Sequence, residues 1–249
     1  MIPKVIHFIW FGDKMPERIK VITNSWRTLM PEYKFIKWDE SNSGEFLNNQ
    51  FVCQAMKDKN YAFVSDYIRL KVLYEYGGIY LDTDMIIIKK LDDFLSYKTF
   101  WGRMYSNAVG TAIIGAEPHN GVIRELLDIY EKREVSFEES NNRLITRFFI
   151  DKFNLFSDKN IKQVLGDKNI LLPTRYFYLP LIKKSKNSYS YHLFINSWTD
   201  SQKTNLKKKI IKYSPIFITS YVRNRNGIKR FYKAIDYSRR KNEKNNYVK

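Results

Sequence analysis

The stretch from Tyr61 to Ile88, YAFVSDYIRLKVLYEYGGIYLDTDMIII, constrains the fold of this chain more than any other. Apolar residues Ala62, Phe63, Ile68, Val72, Leu73 and Tyr76 recur at helical spacing, which predicts a helix with a buried face. Gly77 and Gly78 end it, because glycine takes the left-handed backbone past a helix end without a steric penalty, and two in succession permit a sharp reversal. Ile79, Tyr80 and Leu81 then read as a short strand, and Met85 to Ile88 as a second. Between them stand Asp82, Thr83 and Asp84. In extended backbone side chains alternate faces, so Asp82 and Asp84 are expected to point the same way. Two carboxylates side by side repel one another unless a cation lies between them. A hard divalent ion, Mg²⁺ or Mn²⁺, carrying its waters and a substrate diphosphate, suits such oxygen ligands. A solvated acidic turn is the plainer explanation of so short a pattern. The apolar runs on both sides favour the metal reading, since a purely structural role for two charges there is hard to find.

The remainder of the chain supplies a frame for this segment. Pro3 to Phe11, PKVIHFIWF, is an apolar run of strand length, rich in β-branched and aromatic residues. Pro16 to Thr28 reads as a helix with Ile19, Ile22, Trp26 and Leu29 on one face, and Tyr33 to Trp38 as a second strand. Strand, helix, strand is the opening of an α/β fold with parallel strands, in which ligands gather at the carboxyl ends of the strands. Trp10, Phe11 and Gly12 lie at such an end, whereas His7 lies inside the strand and reads as a core histidine. Further on, a modest helix is expected near Phe51 to Lys57 and a turn or short helix at Leu91 to Leu95. Strands are expected at Phe100 to Met104 and Gly110 to Gly115, followed by a helix opened by Pro118, whose missing N–H does no harm there. Glu138 to Phe153 reads as another helix. Asn169 to Leu172 and Tyr189 to Ile195 read as strands around a loop bounded by Pro173 and Pro180.

Charge divides the chain into two parts. From Ser201 to Lys249 there are fifteen Lys and Arg against two acids, so +13 of the formal +17 lies in that last segment. We therefore read residues 1–200 as a folded domain and residues 201–249 as a basic tail. Ile210, Ile211, Tyr213, Ile216, Phe217 and Ile218 are interleaved with the charges, a pattern that suits an amphipathic segment on an anionic membrane surface. A plain solvated helix is the alternative. The single cysteine, Cys53, excludes an internal disulfide framework and fits a reducing compartment. The opening residues carry no signal-peptide pattern, and no window reaches the roughly eighteen apolar residues of a spanning helix. The expected location is cytoplasmic, peripheral on the inner face of a membrane.

The segment SDYIRLKVLYEYGGIYLDTD, Ser65 to Asp84, resembles the signature of DXD-motif glycosyltransferases, the family of yeast-type initiating mannosyltransferases and bacterial capsular polysaccharide enzymes. It is similar also to the glucosyltransferase domains of clostridial toxins. IPKVIHFIWFG resembles the family's opening strand, and HLFINSW, His192 to Trp198, its closing element. The resemblance implies a GT-A fold, Rossmann-like α/β with a mixed central sheet, and a retaining, metal-dependent transfer of a hexose from a nucleotide-sugar, with UDP as the expected nucleotide. It implies Asp84 as metal ligand, Asp82 on ribose or metal, and His192 or Asn196 as further metal contacts, with Mn²⁺ or Mg²⁺ bound. Asp66 and Arg69 would hold the donor sugar, for an Asp accepts from hydroxyls and an Arg donates to sugar or diphosphate; a surface ion pair is the alternative. Trp10, Phe11 and Tyr80 would contact the donor, and Ser197 and Trp198 would close over the diphosphate. Catalysis would rest on Asp82, Asp84 and Arg69. The expected acceptor is a glycan or lipid-linked saccharide of bacterial surface polysaccharide synthesis.

Two other classes share some of these features. A nucleic-acid-binding protein would explain the charge, but the charge is confined to the tail and the central segment is acidic, so no nucleic-acid partner is expected. A metal-dependent nucleotidyltransferase or nucleotide hydrolase would also need paired aspartates.

Overall fold

The strongest apolar runs become the buried strands of one sheet, and its two faces divide the core. The computed structural model describes residues 1–132, 140–153, 159–178, 187–195 and 221–229. In chain order the elements are β1 (Val5–Ile9), α1 (Glu17–Leu29), β2 (Lys34–Trp38), a 3₁₀ turn at Gly44–Asn48, α2 (Gln50–Lys57), α3 (Tyr61–Tyr76), β3 (Gly78–Leu81) and β4 (Met85–Ile87). A second 3₁₀ turn, Asp92–Phe94, precedes β5 (Thr99–Tyr105), β6 (Ala108–Ala116), α4 (Gly121–Glu131) and α5 (Asn141–Lys152). Then come β7 (Gln163–Val164), β8 (Asn169–Leu172), α6 (Thr174–Phe177) and β9 (Ser190–His192). Residues 221–229 are also helical.

The main sheet has seven strands in the order β2-β1-β3-β6-β5-β8-β7, and β4 pairs with β9 in a separate ribbon. β2, β1 and β3 are parallel, as strands joined by crossover helices must be, while β6 enters antiparallel to β3. The sheet is thus mixed. Alternation along each strand sends successive side chains to opposite faces. Ile6, Phe8, Ile79, Leu81, Ile113 and Leu172 join Trp26 of α1 on one face. Tyr80, Trp101, Ile114 and Leu171 join α2 to α5 on the other.

Three sequence expectations are corrected. α3 is buried almost all round rather than along one face, because α2 and α4 cover the side it turns away from the sheet. α4 starts after Asn120, whose carboxamide caps the Val122 N–H at 2.9 Å; Pro118 stands before the helix, separated from it by His119 in left-handed backbone. The strand expected over Tyr189 to Ile195 is limited to Ser190–His192, since Phe194 takes φ 54° and breaks the extended run. Pro173 immediately precedes α6, and Pro180 lies outside the described residues.

The double glycine is required by a close approach. Gly77 has φ 61° and Gly78 φ 102°, and a Cβ on Gly78 would lie 2.6 Å from the Val5 carbonyl oxygen of the neighbouring β1. The same junction uses His7, which is fully buried. Its Nε2 bonds the Gly77 carbonyl at 2.8 Å and its Nδ1 accepts from Trp38 Nε1 at 3.0 Å, so the neutral Nε2–H tautomer ties β1, β2 and the end of α3 together. Burial pushes the His7 pKa down to about 4. The unfolded chain therefore binds the proton that the folded chain refuses. The contribution of His7 is whole above about pH 6.5 and is lost progressively as pH falls toward 4, amounting to on the order of 3 kcal/mol. Urea denaturation of wild type and His7→Gln across pH 7 to 4 should show a fall in wild-type stability that is smaller in the variant. Parallel pH profiles would refute the assignment.

Candidate active site

Three structural elements deliver ionisable side chains to one place. α3 carries Ser65, Asp66 and Arg69 on a single face, since positions three and four apart are neighbours on a helix. β3 ends at Leu81, and Asp82 follows at its carboxyl end, where α/β sheets gather ligands. The backbone at Asp82-Thr83-Asp84 is a turn, closed by Met85 N–H on the Asp82 carbonyl at 3.1 Å, rather than the extended segment expected from sequence. The two carboxylates converge through this turn and not by strand alternation, because the chain must bend between β3 and β4, which belong to different sheets.

β9 brings His192 against them. One oxygen each of Asp82 and Asp84 and one His192 nitrogen lie within 4.8 Å of one another. His192 Nε2 is 2.9 Å from Asp84 Oδ1, and the Ile195 N–H donates to Asp84 Oδ2 at 2.9 Å. The latter bond depends on the left-handed turn at Phe194, a conformation that costs a non-glycine residue roughly 1–2 kcal/mol. Burial alone would raise the Asp84 pKa, but its bonds to His192 and to the Ile195 amide outweigh that and hold it below the ordinary carboxylate value. Strain of this kind at a cluster of ionisable groups points to a functional site.

Arg69 sits beneath these acids and is 3% exposed. Its Nε donates to the Ser65 carbonyl at 3.0 Å, and one terminal nitrogen bonds Ser65 Oγ at 3.1 Å and Asp66 at 2.8 Å. The other bonds the Thr111 carbonyl at 2.9 Å and approaches Asp82 at 3.4 Å. The guanidinium thus makes four hydrogen bonds and an ion pair with Asp66. Burial works against the charge, but Tyr80, Asp82 and Asp66 outweigh it and keep the pKa raised. The Asp66–Arg69 contact is therefore a buried brace and not a solvated surface pair. Arg69 orients Asp66 and Asp82 from beneath.

These groups floor a cavity of about 310 Å³, walled by Met104 and Thr111 of the sheet, by Ser140, Asn141 and Asn142 at the start of α5, and by His192 and Phe194. Sequence reasoning missed the α5 residues. Asn141 is buried, accepts from Tyr130 OH at 2.8 Å and donates to Asp66 Oδ1 at 2.9 Å, while Asn142 Oδ1 accepts from Thr111 Oγ1 at 3.1 Å. The polar run Ser140-Asn141-Asn142 ahead of an apolar helix was the available signal. Tyr80 lies under the cavity in the core, donating its hydroxyl to Asp82 Oδ1 at 2.7 Å; burial raises its pKa far above the usual value. Trp10 and Phe11 stand at the end of β1 but outside the cavity wall. Phe11 is buried and stacks on Tyr61, and Trp10 bonds the Asp13 carbonyl at 2.7 Å. Asn196, Ser197 and Trp198 lie outside the described residues.

The donor set of two carboxylates and one imidazole fits Mn²⁺ or Mg²⁺, which prefer oxygen-rich ligation. His192 adds a further sign: its Nδ1 is buried with no partner among the described residues.

Comparison with known proteins agrees with this geometry. Residues 16–101 match the model described as "Glycosyltransferase sugar-binding region containing DXD motif". Inositol phosphoceramide mannosyltransferase 2 of Schizosaccharomyces pombe is 31% identical over 140 residues, a match covering 55% of this chain and 41% of that protein. A glycosyltransferase of Acanthamoeba polyphaga mimivirus is 26% identical over 215 residues, covering 80% of this chain and 84% of its own length. Among solved structures, PaToxG glycosyltransferase superposes with a TM-score of 0.50 at 21% identity, over 60% of this chain and 68% of that one, which shows a shared GT-A fold. Through residues 16–101, which carry Asp66, Arg69, Asp82 and Asp84, the chain matches the glycosyltransferase family whose sugar-binding region contains a DXD motif.

Proposed function

We propose that this chain is a metal-dependent glycosyltransferase that moves a hexose from a nucleotide-sugar, with UDP as the first nucleotide to test, to a glycan or lipid-linked acceptor. The observation that carries the reading is the convergence of Asp82, Asp84 and His192 within 4.8 Å at the floor of a cavity that also presents Asp66 and Asn142. Asp82, Asp84 and His192 would hold the metal. A divalent ion there supplies neutralisation of the negative charge that develops on the departing diphosphate. The residues of the chain do the rest. Asp66, held by Arg69 and Asn141, accepts hydroxyl protons of the sugar in hydrogen bonds, and Asn142 offers a second polar contact. Phe194 and Met104 shield the sugar from water, which would otherwise compete with the acceptor. A lipid acceptor is supported by the fission-yeast relative, an inositol phosphoceramide mannosyltransferase. A role in surface polysaccharide synthesis, with residues 201–249 against an anionic membrane face inside the cell, completes the proposal.

The test is nucleotide release from a panel of UDP- and GDP-hexoses, with inositol phosphoceramide or undecaprenyl-linked saccharide as acceptor, in Mn²⁺ and in EDTA. We expect one donor to be consumed with stoichiometric product, and chelation to stop the reaction. Undiminished turnover in EDTA would remove the metal from the proposal, and free hexose as sole product with every acceptor would favour a hydrolase.

A further inference from the structure

The helix at residues 221–229 belongs to the basic segment, yet it docks beside the cavity. Asn224 fixes it to the turn between β5 and β6, accepting from the Ser106 N–H at 3.0 Å and donating to Ser106 Oγ at 3.0 Å. Gly227 packs so closely on Tyr105 that a Cβ there would lie 2.4 Å from the ring. These contacts hold the helix against the β5–β6 turn. The helix places the Arg223 guanidinium 5.0 Å from the centre of the Phe194 ring, and Phe194 is a wall of the cavity with its ring centre 4.1 Å from that of His192.

Two facts give this position meaning. The cavity floor is acidic, and the charge of its buried cation, Arg69, is already paired with Asp66 and Asp82, so a diphosphate needs positive charge from elsewhere. Arg223 is partly buried, and among the described residues no carboxylate pairs with it. A half-desolvated guanidinium without an acidic partner is unfavourable unless an anion completes it. We propose that Arg223 is an anion-binding residue of the donor site, reaching over Phe194 to hold the diphosphate of the nucleotide-sugar. The assignment rests on the glycosyltransferase reading above. It makes part of the basic segment a wall of the site and not solely a membrane contact.

Isothermal titration of UDP and GDP into the full chain with Mn²⁺ tests it, comparing wild type with Arg223→Gln and Arg223→Lys and using uridine and guanosine as controls without phosphate. For the nucleotide that wild type binds, Arg223→Gln should weaken the diphosphate roughly 10- to 100-fold and Arg223→Lys by less, as expected for loss of a charge-assisted contact. The matching nucleoside should be unaffected. Equal diphosphate affinity in wild type and Arg223→Gln would overturn the assignment while leaving the glycosyltransferase reading intact. Equal weakening of nucleoside and diphosphate would also overturn it, marking Arg223 as a support for the helix only. Wild type that binds neither UDP nor GDP would overturn both.

Discussion

Replacing Asp84 by Asn should reduce sugar transfer by about 10³-fold or more, the scale expected when a carboxylate that anchors the leaving-group cation is lost. The fold should survive. The Asn carbonyl oxygen can still accept from the Ile195 N–H, which Asp84 Oδ2 engages at 2.9 Å, and its amide is isosteric with the carboxylate. The bonds from His192 and the Ile195 amide that hold the Asp84 pKa down make its charge mildly stabilising, so the melting temperature should fall only slightly. Mn²⁺ titration should show weakened binding in the variant. Transfer within tenfold of wild type, or unchanged Mn²⁺ affinity, would remove Asp84 from the metal site.

Arg69→Met should be the most destabilising single substitution at the site. Arg69 is enclosed, bonded to Ser65, Asp66, Asp82 and Thr111, and stacked 4.6 Å from the centre of the Tyr80 ring. Its loss leaves two carboxylates without their buried counter-charge, and breaking a buried pair by removing one partner costs about 3–5 kcal/mol. Met fills much of the same volume, so little of the loss would come from a cavity. Equilibrium urea denaturation should read it directly, and a metal-free buffer avoids masking by ligand. A change below about 1 kcal/mol would show that water, not Arg69, balances the acids. Arg69→Lys should recover only part, because one ammonium cannot reach both Asp66 and Asp82 while bonding Thr111.

Much of the fold was legible because it rests on local patterns. The helix at Tyr61–Tyr76, the strand after it, and the strands near Val5, Lys34, Thr99, Ala108 and Asn169 all follow from apolar periodicity and from glycine or proline stops. Expectations failed where a partner distant in sequence decided the outcome. α3 is covered on its outer face by α2 and α4, which no window of its own residues reveals. Asn120 caps α4 in place of Pro118 because its carboxamide reaches the Val122 N–H. The extent of β9 is set by its pairing with Met85 to Ile87 and by the Phe194 bend.

The sequence by itself determined that Asp82 and Asp84 follow a buried strand and that Asp66 and Arg69 share a helix face, since both follow from spacing within one element. Only the tertiary structure decided how they meet. A turn at the boundary of two sheets brings the aspartates together, where strand alternation had been expected to do so. His192 joins them from 108 residues away, by way of the β4–β9 pairing. Asn141 reaches Asp66 across 75 residues, and Arg69 is turned inward as a brace between α3 and the sheet. Such contacts depend on packing between elements remote in sequence, so local periodicity does not contain them.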